Sequence, residues 1–389
     1  MKIEQRKWTQ AQGWAPASVG SVAKASQLVL VFGATGALRQ PHLAAALRED
    51  YPDAHVFGCS TAGEICGTQV FDDSMVVTAV QFEHSRLRSV QVDLGSSADS
   101  FGAGERVARA LPASLPDPAS GEDQRLVHVL ALTDGLQVNG SEFVAGLTSH
   151  LPEGITLTGG LAGDGARFDQ TLVFKDGVAQ TNTISALGLY GNRLKVGFAS
   201  LGGWDSFGPD RIITKSRANV LYELDGQSAL GLYKRYLGEH AKGLPATGLL
   251  FPLSIRSQAG ETPVVRTILS VDEAAQSLTF AGDIPKGAYA RLMKANFDRL
   301  IDGATGAART SDEAVGAGSA ELAILISCVG RKLVLKQRVE EEVEAVRDVL
   351  GPDVPLTGFY SYGEISPFTP GARCELHNQT MTITTLSER

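Results

Sequence analysis

Short runs of consecutive apolar residues alternate along the chain with stretches where apolar positions recur every three or four residues. Leu28-Val-Leu-Val-Phe32 predicts a buried strand, closed by Gly33-Ala-Thr-Gly36. Pro41 then sits where a first-turn proline starts a helix, and Leu43 and Leu47 share one face of the stretch 42–50. Tyr51-Pro52 ends it. The same alternation predicts strands at Leu126–Leu132 and Leu322–Ser327, with helices over 141–150 and 339–350. In the last helix Val339, Val343, Val346 and Leu350 form an apolar stripe. From Phe174 to Ser200 the pattern is strand-like, and Lys175-Asp176-Gly177 is a hairpin turn. Helical spacing is expected from Asn219 to Tyr236, a strand over Ser277–Ala281 followed by a turn at 282–285, and a surface loop over 111–124. Residues 1–26, with Trp8 and Trp14 as isolated anchors, read as an arm packed onto a domain.

These elements fall into a repeat. Pro52-Asp53 leads to HVFGCSTAGE ending at Glu64, Pro152-Glu153 to ITLTGGLAGD ending at Asp164, and Pro352-Asp353 to VPLTGFYSYGE ending at Glu364. Each phrase follows a strand and a helix, so the unit is strand, helix, strand, and a glycine-bearing loop with a carboxylate at its rim. Gly63, Gly163 and Gly363 are expected at φ > 0. Loops after parallel strands are where α/β sheets collect ligand-contacting groups. The competing reading is that each acid caps a helix or a neighbouring backbone N–H.

Composition then bounds the classes. The 389 residues predict two or three domains, and 43% hydrophobic with 20% charged residues exclude a disordered or fibrous chain. Net charge is −8 and no Lys/Arg block appears, which argues against nucleic acid. No apolar run approaches the roughly 20 residues of a membrane helix. The N-terminus has no signal-peptide core, and Cys59, Cys66, Cys328 and Cys374 form no CxxC pair. A cytoplasmic protein with free thiols is expected.

Gly58-Cys-Ser-Thr-Ala-Gly-Glu-Ile65, and Asp134-Gly135 followed by Thr158-Gly-Gly-Leu-Ala-Gly-Asp164, resemble the N-terminal half of the FIST sensory family. Leu232-Tyr-Lys-Arg-Tyr-Leu237, Phe251-Pro252 and Gly358-Phe-Tyr-Ser-Tyr-Gly-Glu-Ile365 resemble its C-terminal half. The resemblance runs from about residue 28 to the end. It implies an α/β protein of two-part architecture: an arm over 1–27, an N-type sensory domain over 28–215 and a C-type domain over 216–389. It also implies a bacterial small-ligand sensor without attached output. Stand-alone relatives of this kind include haem-binding nitric-oxide sensors that regulate a separate histidine kinase in two-component signalling.

Nothing in the composition shows haem, so that cofactor rests on the resemblance. Haem needs an axial ligand; His377 is the first candidate and His240 the second, with Cys374 as an alternative soft ligand. The ligand-binding candidates are Gly58, Cys59, Ser60, Thr61, Gly63, Glu64, Gly159, Gly160, Asp164, Tyr360, Tyr362, Gly363 and Glu364. Arg167, Lys215 and Arg217 could meet an anionic ligand, or be solvated charges. Tyr360 and Tyr362 could line a pocket from one side, or pack.

Three readings follow, none requiring a P-loop, a full GxGxxG or zinc spacing, all absent. The leading one is a non-catalytic haem-based nitric-oxide sensor. The second is a module for an amino acid or similar metabolite, with Glu64, Asp164 and Glu364 holding an ammonium group. The third is a thiol enzyme using Cys59, which sits at a strand-to-loop turn.

Overall fold

The computed structural model describes residues 1–95, 99–116, 121–257, 263–368 and 371–388. Its body is one unit repeated three times. Unit one holds β1 (Lys2–Thr9), β2 (Leu28–Gly33), α1 (Pro41–Asp50), β3 (His55–Ser60), a short hairpin of β4 (Glu64–Cys66) and β5 (Gln69–Phe71), and β6 (Ser74–Gln81). Unit two repeats the order as β7 (Arg86–Asp93), α2 (Ser100–Ala110), β8 (Asp123–Thr133), α3 (Gly140–Thr148), β9 (Thr156–Leu161), the hairpin β10 (Val173–Lys175) and β11 (Val178–Gln180), and β12 (Thr183–Tyr190). Unit three opens with β13 (Lys195–Leu201), then departs into an insert. The insert carries β14 (Trp204–Arg217), β15 (Val220–Leu224), α4 (Ala229–Leu237), β16 (Leu253–Arg256), β17 (Val264–Arg266), β18 (Ile268–Asp272), β19 (Ser277–Phe280) and β20 (Tyr289–Ala295). The unit resumes with α5 (Phe297–Val315), β21 (Leu322–Cys328), α6 (Val339–Leu350), β22 (Leu356–Ser361), the hairpin β23 (Gly363–Pro367) and β24 (Cys374–His377), and β25 (Met381–Ser387).

Each unit forms a mixed sheet. A parallel pair (β2 with β3, β8 with β9, β21 with β22) is flanked by an antiparallel strand (β6, β12, β25). The outer edge of each parallel pair is completed by a hairpin from another unit. β4 of unit one pairs with β22 of unit three, β23 of unit three with β9 of unit two, and β10 of unit two with β3 of unit one. The three exchanges close a cycle, so the repeats are one body. The insert forms its own sheet in the order β17-β16-β20-β14-β15-β19-β18.

The inner faces of the three sheets meet in a core of Leu28, Leu30, Phe32, Leu130, Leu132, Leu322, Ile324 and Ile326, all at most 2% exposed. These are alternate residues of the three equivalent strands, as a half-buried face requires. Register places His128 where the other units have Leu28 and Leu322. Its ring nitrogens lie 2.6 and 2.8 Å from Thr156 and Thr158 Oγ1, and burial pushes its pKa down to about 3, so it is a satisfied neutral core residue. The helices cover the outer faces. Pro41 occupies the first turn of α1; Asn139 caps α3 by accepting from the Ser141 and Glu142 N–H groups. α6 buries Val343, Val346 and Leu350 and carries three glutamates in its first turn, where the helix dipole favours them.

Expectation and structure part at several points. Residues 2–9, read as an arm, pair along β6 as a full strand. The helical spacing read from Asn219 holds only from Ala229, because Val220–Leu224 is a strand turned by Asp225-Gly226, both at positive φ. Of the expected loop over 111–124, residues 114–116 pair with 123–125, and 117–120 lie outside the described residues. Among the three glycines expected at φ > 0, Gly63 alone has it (139°). Gly163 and Gly363 are glycines through close approach instead: a Cβ would lie 2.9 Å from Ala62 N and 3.0 Å from Leu376 Cδ1. The left-handed position the units share lies one or two residues before the antiparallel strand, at Asp73, Asn182 and Gln379, with φ 53°, 53° and 66°.

A second glycine position is dictated by packing. Gly58, Gly159 and Gly358 face Val31, Ala131 and Leu325 across each parallel pair. An added Cβ would lie 1.8, 1.9 and 1.8 Å from those residues' carbonyl oxygens. Gly159 is thus the counterpart of Gly58, and Cys59 corresponds to Gly160 and Phe359, one residue from the alignment by Pro-to-acid spacing. Gly58→Ala, Gly159→Ala and Gly358→Ala should each lower the unfolding free energy by about 1–3 kcal/mol or more through overpacking. Gly36→Ala, with nothing within 4 Å of the new carbon, should not. Urea denaturation reads both.

Candidate functional site

The loops that leave the parallel strands meet. Ala62 N donates to Tyr360 O (2.8 Å), Tyr360 N to Gly63 O (2.8 Å), Gly163 N to Ser60 O (2.8 Å), Gly165 N to Thr61 O (3.1 Å), Ser60 N to Leu172 O (2.8 Å) and Tyr362 N to Leu161 O (3.2 Å). Main chains at this contact distance leave no room between them. Gly58, Cys59, Ser60, Thr61, Gly63, Glu64, Gly159, Gly160, Asp164, Tyr360, Tyr362, Gly363 and Glu364 are all buried. They form a knot rather than the wall of a hollow, and of them only Tyr362 lines any of the five cavities described.

The three carboxylates face inward. Glu64 accepts from Thr61 Oγ1, from Ser74 N (3.2 Å) and from Ser74 Oγ (2.6 Å). Glu364 repeats the pattern with Ser361 Oγ (2.6 Å), Thr380 N (3.2 Å) and Thr380 Oγ1 (2.9 Å). Asp164 accepts from the Phe168, Asp169 and Gln170 N–H groups at 2.9 Å and from Tyr362 OH. Each is at most 1% exposed. The reading in which they hold a ligand's ammonium group is therefore corrected: their acceptor capacity is spent on the fold, and each ties a loop down.

The tyrosines part company. Tyr360 OH donates to Glu342 (2.7 Å), beside the fully buried Arg331–Glu342 pair, while Tyr362 stacks on Phe168 at 4.4 Å. Cys59 is 0% exposed and burial pushes its thiol well up, the reverse of an accessible thiolate nucleophile. Arg167 is exposed with Nε 4.0 Å from Asp164; Lys215 pairs with Glu223 at 3.8 Å, and Arg217 is exposed on the insert. None of these cations lines a described cavity.

Neither histidine fits an axial haem role. His377 is 0% exposed; its Nε2 lies 2.7 Å from Ser366 O and its ring 4.0 Å from that of Phe368. Burial pushes its pKa down to about 3. His240 lies on an exposed turn with its ring 5.2 Å from Phe251. Neither lines any of the five cavities described. Cys374 Sγ points at Leu157 O (3.5 Å), and its thiol is pushed up by burial. No group of three or more His, Cys, Asp or Glu side chains among the described residues could hold a metal ion. No described helix is long and apolar enough to cross a membrane.

Open space with converging chemistry lies instead at the seam between unit two and the insert. An inner hollow of about 230 Å³ is lined by the loop Gly135–Asn139, by Leu161 and Tyr362, and by Asn219, Leu269, Phe280 and Ala281 of the insert. It sits at the carboxyl ends of β8 and β9, where α/β sheets place ligands. An outer cleft of about 330 Å³ adjoins it, and the Asn139 Nδ2 to Asp283 Oδ1 hydrogen bond (3.0 Å) joins residues of the two walls.

The outer cleft brings together Arg266 and Arg373, Asp283 and Glu375, and Ser141, with Val144, Ile255 and Leu376 as apolar surface. Arg266 is 6% exposed and burial pulls its pKa down to about 10, so it remains a cation. Ser141 Oγ is buried and has no hydrogen-bond partner. These residues escaped sequence reasoning because they come from five separate segments. The local signals at hand, a turn at Asp283 and a helix opening at Ser141, pointed to secondary structure and not to a shared site.

Residues 27–227 match the family model of the FIST N domain and residues 229–367 that of the FIST C domain. Among curated proteins none matches the chain.

The knot carries a pH dependence. Burial raises Glu64 from 4.5 to about 7 and Glu364 from 4.5 to about 8, against the lowering effect of their hydrogen bonds and of Lys332 and Arg331 respectively. Both bind their proton more tightly folded than unfolded. Their contribution is whole below about pH 4.5 and is lost as the pH rises through about 7 and about 8. Unfolding free energy should fall across that window, and the Glu64→Gln/Glu364→Gln double variant should flatten the fall; an unchanged slope would count against protonated carboxyls in the knot.

Proposed function

The chain belongs to the FIST family, whose domains sense small ligands in signal transduction, and from that premise we propose that it is a sensor whose ligand is held in the seam between unit two and the insert. The ligand is a small zwitterion carrying a carboxylate and an amine, as amino acids and short peptides do. Arg266 and Arg373 meet its carboxylate, Asp283 and Glu375 its amine, and Ser141 Oγ supplies a further hydrogen bond. The observation that carries this reading is the buried guanidinium of Arg266 beside an unpartnered hydroxyl, with both charge signs on one cleft.

Occupancy can drive a signal only through a difference in affinity between two conformations. A cleft with one wall on the body and one on the insert offers that difference, since closing the walls changes the contacts. The output passes to a separate protein, for which the family resemblance suggests a histidine kinase. The haem-based nitric-oxide reading rests on the same resemblance, and His377 and His240 give it no support here.

A thermal-shift screen across the amino acids and short peptides tests the proposal. A ligand at about a hundredfold excess over its Kd should add about 2.7 kcal/mol of stability. Arg373→Ala and Glu375→Gln, both outside the core, should remove that gain and leave the ligand-free melting temperature in place. A flat response across the panel, together with a Soret band in protein prepared with haem, would reverse the order of the two readings.

A further inference from the structure

Four consecutive residues, Arg373 to Leu376, line the outer cleft. Alternate side chains of a strand point to opposite faces, so consecutive lining residues mean that β24 presents its edge to the cleft. β24 is the terminal strand of its sheet, and β17, which supplies Val264 and Arg266 to the opposite wall, is the terminal strand of the insert's sheet. Among the described residues neither edge pairs with a further strand, so the cleft is a gap between two sheet edges.

The two edges run toward a closed end. There Thr267 N donates to Asn378 Oδ1 (3.2 Å), and Arg266 Nη1 reaches across to Leu376 O (2.7 Å). The Leu376 carbonyl therefore points out of its own sheet. Cys374, two residues earlier, has the same orientation for an independent reason: it lies opposite Pro367, which has no N–H to give. In an antiparallel pair the residues that are not hydrogen-bonded turn their N–H and C=O away from each other. The N–H and C=O of Cys374 are thus directed to the open end of the gap, with Arg373 and Glu375 on either side.

We infer that the ligand of this cleft is a short extended peptide, recognised through its main chain, which pairs with the free edge of β24 at Cys374. The inference rests on the placement of the ligand site in the seam. Arg266, already bridging the two edges, meets the peptide's carboxylate, and Asp283 or Glu375 its amine. Side chains are read weakly in this mode, since edge pairing uses groups common to every residue.

The test uses a randomised tripeptide pool and, separately, a pool of the free amino acids. Binding is followed by calorimetry and by hydrogen exchange of segments 263–268 and 371–378. Cys374→Pro removes the outward N–H at the open end, at an edge position where proline is tolerated; Cys374→Ala keeps it and controls for the thiol. The tripeptide pool should bind and slow exchange in both segments, and Cys374→Pro should weaken it about tenfold relative to Cys374→Ala, the loss of one main-chain hydrogen bond. If the amino-acid pool binds as tightly and the proline variant behaves like the alanine one, the peptide class is overturned while the seam site stands. If neither pool binds or slows exchange in these segments, the seam site falls with it.

Discussion

Each parallel strand pair in this protein has an edge that its own unit cannot close. The strands are buried on both faces, and a buried main-chain N–H or C=O without a partner costs as much as a lost hydrogen bond, or more. β4, β10 and β23 supply the missing partners, each in a unit other than its own. That single requirement explains the close approach of the three strand-exit loops. It also explains Gly63, Gly163 and Gly363, which sit where one chain crosses another or turns sharply. The interfaces between units follow the same cycle: Thr78 bonds Thr357 (2.9 Å) and Thr384 bonds Thr158 (2.8 Å), while Leu187 and Phe57 belong to the central core.

The same constraint decides what the repeated acids do. A hairpin leaving one unit for another must be pinned where it departs, and a carboxylate accepting two or three hydrogen bonds does this within a few residues. Glu64 and Glu364 pin the departing hairpin to the start of the antiparallel strand, at its first residue Ser74 or at Thr380 just before it. In unit two Asp134 takes part of that duty, accepting from Asn182 N (2.8 Å) and Thr171 Oγ1 (2.7 Å), which frees Asp164 to cap 168–170. An acid at a fixed spacing was therefore a sign of architecture.

The repeat unit and the α/β class were legible because they rest on local patterns: apolar runs of strand length, a 3.6-residue stripe at 339–350 and a proline before each second strand. The exchange of hairpins was not, since Glu64-Ile65-Cys66 carries no mark saying which sheet it completes. Val220–Leu224 was misread because apolar residues spaced to fit the following helix also fit a short strand. The seam residues were invisible for a stronger reason. Ser141, Arg266, Asp283 and Glu375 converge only through the packing of a separate sheet against unit two, and no spacing rule links them. His377, which drew attention as a lone histidine near a repeat loop, is a hairpin residue opposite Glu364.

Three like units give three like surfaces, so a single sensing site requires something that breaks the likeness. The insert does this by packing on unit two, and the junction is held at the left-handed position the units share. Asp73 and Asn182 are short polar residues of the kind that tolerate this backbone. Gln379 is longer, fully buried, and turned outward from the repeat: its side-chain amide N–H groups donate to Leu249 O (3.1 Å) and Thr267 Oγ1 (3.0 Å), and its main-chain carbonyl accepts from Trp204 Nε1 (2.8 Å). It follows β24 by two residues and precedes Thr380, the partner of Glu364. One short segment thus joins the cleft edge, the insert and the knot. A guest that drew the two walls together would act on that segment first, and through Thr380 and Glu364 on the place where all three units interlock.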